Sequence, residues 1–212
     1  MKNLPFQKVL ALSPHTDDIE FGCGGTLTRL QEQGAEIHTA VFSHCEKSVP
    51  AGFPNDVLKK EMYKAADILN IKENNIHNFN FPVREFPKYR QDILENMVEL
   101  KKEINPELVL TTSTFDVHQD HEVVSRESIR AFRFTTLLGY EVPWNNLQFP
   151  NQVVIELSDR HIKNKLEAVD CYQSQKFRKY GNPQLFRKGA EIRGVKNRRD
   201  MVEIFEAIKI YF

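Results

Sequence analysis

The sequence predicts an α/β protein with three layers: a Rossmann-like, mostly parallel sheet with helices on both faces. Three observations carry this. Short continuous apolar runs, such as "KVLALS" (8–13) and "ELVLTTS" (107–113), have the composition of strands buried on both faces. Longer segments with apolar residues at helical spacing alternate with them. The connections are short, so each helix crosses over to a parallel neighbouring strand.

The elements follow in order. "KVLALS" is the first strand. "GGTLTRLQEQG" reads as the start of the first helix, with Gly34 as its stop. "EIHTAVFS" (36–43) is the second strand. "PNDVLKKEMYKAADILNI" is an amphipathic helix with Asn55 or Asp56 as N-cap. "NIHNFNF" is a third strand ended by Pro82. Residues 88–104 form a helix whose stripe is Ile93, Leu94, Met97, Val98 and Leu100; Pro106 closes it. "ELVLTTS" is the fourth strand. "DVHQDHEVVSRESIRAFRF" is a loop running into a helix. "TTLLGYEVPWNN" and "QVVIELS" are further strands, broken by Pro143 and Pro150. "RHIKNKLEAVDCYQSQ" is a helix, and "RRDMVEIFEAIKIYF" is expected as helix or helix plus strand. No repeat or linker interrupts the chain, so residues 1–212 read as a single domain.

Composition narrows the function classes. Hydrophobic residues make up 41%, enough for a core. Lys+Arg and Asp+Glu are both 29, so no charge excess drives the chain toward nucleic acid or an anionic membrane. Three cysteines without a C-x-x-C argue against a disulfide framework and a cysteine zinc knuckle. The first apolar run is too short for a secretory signal, and no run approaches the roughly 20 residues of a membrane span. The expectation is a cytoplasmic protein acting on a small molecule; a homo-oligomer is compatible with the sequence.

Chemistry concentrates at two strand ends. Ligands of open parallel sheets bind outside the carboxyl ends of the strands. "PHTDDIEFGCGG" follows the first strand there. His15 and Asp18 are three apart, a spacing that lets both side chains converge on a borderline divalent metal. Asp17, between them, points elsewhere and is free to handle protons. "GCGG" is not a dinucleotide fingerprint, and the aspartates would repel a pyrophosphate; a tight turn with close helix–strand packing accounts for it better. "FDVHQDHEVVS" follows the fourth strand and sets His118 and His121 three apart, with Asp116 and Asp120 beside them. Two histidines and one carboxylate make the three protein ligands of a catalytic zinc centre, and the same donors hold Fe(II). The bland alternative is an N-capping aspartate and solvated histidines. Two such clusters on one sheet edge argue against it.

Together, "PHTDDIEFGCGGTL" and "DVHQDH" resemble the signatures of the PIG-L/LmbE superfamily of metal-dependent N-acetyl-sugar deacetylases. The resemblance is firm over residues 8–30 and 100–130 and looser after 145. That family usually carries proline where Thr16 stands and glutamate where Ile19 stands; here Glu20 comes one place later. The resemblance implies a Rossmann-like fold without a dinucleotide. It implies His15, Asp18 and His121 as zinc ligands, Asp17 as general base and later proton donor, His118 as oxyanion stabiliser and Asp120 as its orienting partner.

Weaker signals remain. Arg84 and Arg133, with Arg90, lie in or near loops at the inferred active edge and are candidates to grip a phosphate or sugar hydroxyl; a solvated arginine is the commoner case. Tyr140 and Trp144 in "GYEVPWNN" could wall a sugar or pack the core. "KFRKY" and "KNRRD" read as solvated basic runs. Cys45 reads as packing. Two readings compete with deacetylation: a metal-dependent phosphoesterase holding two cations, and a non-enzymatic sugar-binding relative without metal.

Overall fold

The structure is a computed structural model that describes residues 3–211. Seven strands form one sheet in the order β3-β2-β1-β4-β5-β7-β6. They are β1 (Lys8–Ser13), β2 (Glu36–Val41), β3 (Ile76–Asn78), β4 (Leu108–Thr112), β5 (Thr136–Tyr140), β6 (Val153–Glu156) and β7 (Val202–Lys209). The first five pair in parallel, and β7 runs antiparallel to both β5 and β6. Strand order reverses between β1 and β4, which defines the topological switch point of a doubly wound α/β fold.

The helices are α1 (Asp18–Glu32), α2 (Val57–Ile68), α3 (Arg90–Ile104), α4 (Gln119–Ala131), α5 (Asp159–Asp170) and α6 (Gln184–Asn197). Side chains alternate across a strand, so β1 feeds two cores at once. Val9 and Ala11 face Leu27, Met62 and Ile162 from α1, α2 and α5. Leu10 and Leu12 face Met97 and Val124 from α3 and α4. Burial on both faces explains why β1 and β4 read as unbroken apolar runs. No helix among the described residues is long and apolar enough to cross a membrane.

Two expectations are corrected, and one helix was not expected. Helix α1 starts at Asp18, before the glycines, so "GCGG" lies inside a helix and not in a turn. The close packing expected of it is present. A Cβ on Gly22 would stand 2.1 Å from the Tyr140 ring, and one on Gly25 would stand 2.7 Å from Leu157. Gly25 also lets Glu203 reach the helix backbone, where it accepts from the N–H of Gly25 (3.1 Å) and Thr26 (2.7 Å). Residues 184–197, whose charges mask a weak apolar stripe, form α6. The last segment is strand β7 alone. "VEIFEAIK" also suits helical spacing, but it is inserted between β5 and β6, where a strand completes both ladders.

Candidate metal centre

Two loops carry the site, one on each side of the switch point. The loop from β1 into α1 carries His15 and Asp17, and Asp18 opens the helix. The loop from β4 into α4 carries Asp116 and His118, and the first turn of α4 carries Asp120 and His121. The amino ends of both helices lie here, and helix dipoles favour carboxylates at such ends. His118 is the N-cap of α4, and its Nδ1 accepts the Asp120 N–H at 3.2 Å. The Ser13 hydroxyl donates to the His15 carbonyl (2.5 Å) and Asp18 Oδ2 accepts the His15 N–H (2.8 Å), which folds the first loop back on itself.

The geometry is a triangle. His15 Nδ1 lies 3.2 Å from Asp18 Oδ2 and 3.1 Å from His121 Nε2; His121 Nε2 lies 3.3 Å from Asp18 Oδ2. Three donors bound tetrahedrally at roughly 2.0–2.1 Å from a zinc ion stand about 3.3–3.4 Å apart, so the triangle has the right size for one cation. The outer nitrogen of each imidazole is held by a carboxylate. His15 Nε2 lies 3.0 Å from Asp120 Oδ2, and His121 Nδ1 lies 2.8 Å from Asp116 Oδ2. Carboxylate–histidine pairs of this kind fix the tautomer and aim the inner lone pair at a metal.

Electrostatics agree with the donor set. Burial works against charge on both imidazoles. The Asp18 carboxylate, aided by Asp120 for His15 and by Asp116 for His121, outweighs it, raising His15 to about 9 and His121 to about 10. Against its own burial, His121 and His15 hold Asp18 well below the usual carboxylate range. The pocket thus favours positive charge at the point where the three donors meet, which is what a divalent cation supplies. Asp17 differs: burial and then the Asp18 carboxylate push it up to about 7. Asp17 lines the cavity and makes no ion pair with either histidine among the described residues.

His118 stands at the edge of the triangle. Ligand atoms of His15, His118 and His121 all lie within 4.8 Å of one another. Burial, then His15 and His121, lower His118 to about 4. With Nδ1 accepting from Asp120, its proton sits on Nε2, so it is a neutral donor. This corrects the expected pairing: the Asp120 carboxylate engages His15, and it is the Asp120 N–H that reaches His118.

A cavity of about 360 Å³ opens over the triangle, large enough for a small ligand. Arg84 lines it, as expected. Two other candidates do not. Tyr140 is fully buried on β5, packed on α1 at Gly22, with its hydroxyl donating to the Leu12 carbonyl at 2.8 Å. Arg133 precedes β5 and so lies at the opposite end of the parallel strands, where its carbonyl accepts from Lys209. Arg90 pairs with Glu127 at 3.4 Å. Trp144 does reach the cavity, stacked on Tyr180 with centroids 4.2 Å apart. Gln175, Arg178 and Tyr180 also line it, which corrects the expectation that "KFRKY" is only a solvated basic run. They come from the segment after α5, where "KFRKY" carries no signal of its destination. Asp116 was more visible, two residues before His118.

A doubly wound sheet with a His/Asp donor set astride its switch point defines the class: an α/β protein with a candidate single-cation centre. Comparison with known proteins narrows it. Residues 10–132 match the model of the PIG-L (GlcNAc-PI de-N-acetylase) family. The chain is 30% identical over 172 residues to the uncharacterized deacetylase YaiS of Escherichia coli K12, covering 78% of this chain and 90% of that one. It is 27% identical over 149 residues to the diacetylchitobiose deacetylase of Thermococcus kodakarensis, covering 65% of this chain and 55% of that one. Its fold superposes on the N,N'-diacetylchitobiose deacetylase of Pyrococcus horikoshii with a TM-score of 0.80 at 20% identity, over 95% of this chain and 84% of that one. The chain belongs to the PIG-L family.

Proposed function

We propose that this chain is a divalent-metal-dependent hydrolase that removes the acetyl group from an N-acetyl amino sugar, free, nucleotide-linked or conjugated. The observation that carries the reading is the triangle of His15 Nδ1, Asp18 Oδ2 and His121 Nε2, with Asp17 beside it. Kinship with deacetylases supports the acetamide as the bond attacked. Zinc suits the donors, and Fe(II) shares them.

A cation held by His15, Asp18 and His121 would acidify water and polarise the acetamide carbonyl. The other steps fall to the chain's own side chains. Asp17 takes the proton from the attacking water, a role open to a carboxylate that lines the cavity next to the donors. Water oxygen bonds to the carbonyl carbon. His118 offers its Nε2–H to the oxygen that becomes negative, as a neutral donor that needs no reorganisation. Asp17 returns the proton to the amine nitrogen as the C–N bond breaks, leaving acetate and free amine. Asp120 and Asp116 keep the two imidazoles aimed throughout.

The phosphoesterase reading is less well supported. It calls for two cations about 4 Å apart that share carboxylates. Among the described residues, the close groups of three ligand-type side chains, His15, Asp18 and His121 and the trio His15, His118 and His121, share two members and converge on one point. The deciding experiment is a panel of N-acetylated sugars and nucleotide sugars assayed for acetate. Release from at least one, abolished by chelator and restored by zinc or Fe(II), is expected. A protein that binds one equivalent of metal and frees acetate from none of them overturns the reading.

A further inference from the structure

Two further histidines meet at the edge of the sheet, outside the catalytic cavity. The sheet ends at β3, three residues long and paired with β2 alone. His77 of β3 stands opposite Ala40 of β2, and strand alternation puts His38 on the same face as Ala40. Both imidazoles therefore point to the side of the sheet that α3 covers, where Ala40 joins the core. Neither lines the cavity over the metal centre.

His38 Nδ1 lies 3.3 Å from His77 Nε2. That is the spacing of two donors on one tetrahedral zinc ion. The outer nitrogen of His38, Nε2, faces Glu36 Oε1 at 3.5 Å. A proton on Nε2 toward that carboxylate leaves the Nδ1 lone pair directed at His77, the device that also aims His15 and His121.

The surroundings suit a cation better than a proton. Burial lowers both imidazoles below their usual range, outweighing the pull of Glu103 on each and of Glu36 on His38. Both rings are thus neutral at physiological pH and free to ligate. Lys8 of β1 acts on His38 with the opposite sign to the two carboxylates. Glu103 is exposed in the last turn of α3, so its carboxylate can turn toward either ring. The carboxyl end of a helix also carries partial negative charge.

We propose that His38 and His77, with the Glu103 carboxylate as third ligand, form a second divalent-cation site at the β2–β3 edge, separate from the catalytic centre. The ion is a borderline one such as zinc or nickel, which imidazole nitrogens favour. On binding, the His77 proton moves from Nε2 to Nδ1, so no proton is released. With two preset donors against three, the edge site is the weaker, and desalted protein keeps metal only at the catalytic centre. Its effect is structural: it ties the edge strand to β2 and to the end of α3.

The test titrates zinc into metal-loaded, desalted protein by calorimetry, and repeats the titration with nickel. One further equivalent is expected, with a Tm that rises with free metal concentration. His38→Asn and His77→Asn should each lose that equivalent and the Tm rise, while keeping the first equivalent and the wild-type circular dichroism. Glu103→Gln should weaken the further equivalent by about tenfold. No further equivalent in the wild type, or its persistence in either asparagine variant, overturns the site and leaves the two imidazoles as a hydrogen-bonded pair. The proposal does not rest on the deacetylase reading. If the cavity over His15, Asp18 and His121 holds no metal, the wild type takes up one equivalent in place of two, and that one still disappears in His38→Asn and His77→Asn.

Discussion

The Asp120 carboxylate meets the His15 imidazole at 3.0 Å across 105 residues of sequence. Its second oxygen accepts the Phe86 N–H at 3.2 Å, so the carboxylate is fixed from two sides and in turn fixes the ring. Asp116 does the same for His121 at 2.8 Å. If these pairs aim donors at a metal, Asp120→Asn and Asp116→Asn should each weaken metal affinity by about 10–100-fold with the fold retained. Chelator competition measures this. Unchanged affinity in both variants would mean the carboxylates do not serve the metal.

Asp17 is expected to behave in the opposite way. Asp17→Asn should lower kcat by about 10²–10⁴-fold or more while metal content stays at the wild-type level. Metal analysis and acetate release on the same preparation check both halves. A fully active Asp17→Asn enzyme would falsify the base assignment.

His118 sits near enough to the triangle to be mistaken for a ligand. As a neutral donor it should be dispensable for metal binding but not for rate. His118→Ala should cost about 10²–10³-fold in kcat with one equivalent of metal kept. Loss of the metal together with the rate would reassign it to the coordination sphere.

The helix–strand contact behind the site is testable by stability. Alanine in place of a mid-helix glycine normally gains up to about 1 kcal/mol. At Gly22 the added Cβ meets the ring of fully buried Tyr140 at 2.1 Å, and overpacking a core costs about 1–3 kcal/mol. The clash wins, so Gly22→Ala should lower Tm by several degrees. An unchanged or raised Tm would show that α1 and β5 can separate freely.

Lys165 and Glu203 form a buried pair at 2.6 Å, and Lys165 also donates to the Phe21 carbonyl at 2.7 Å. Removing one partner leaves an uncompensated buried charge, at a cost of about 3–5 kcal/mol. Lys165→Met should therefore destabilise the protein strongly in denaturant unfolding, and more than the double variant Lys165→Met with Glu203→Gln. Equal losses would mean the pair is not coupled.

The sequence by itself determined the sheet core and the chemical character of the site. Apolar runs buried on both faces mark β1 and β4 without ambiguity, and His/Asp spacing at their ends is local information. It did not determine which carboxylate serves which imidazole, because Asp120 and His118 are neighbours in the chain while Asp120 and His15 meet only through the sheet. Nor did it place Tyr140 or Arg133. A strand residue points to one face or the other according to register, and a loop's end of the sheet follows from strand direction. Arg178 and Tyr180 reach the cavity from after α5 because tertiary packing carries that segment there. No spacing rule spans such a distance, since side chains far apart in sequence are brought together only by the shape of the folded core.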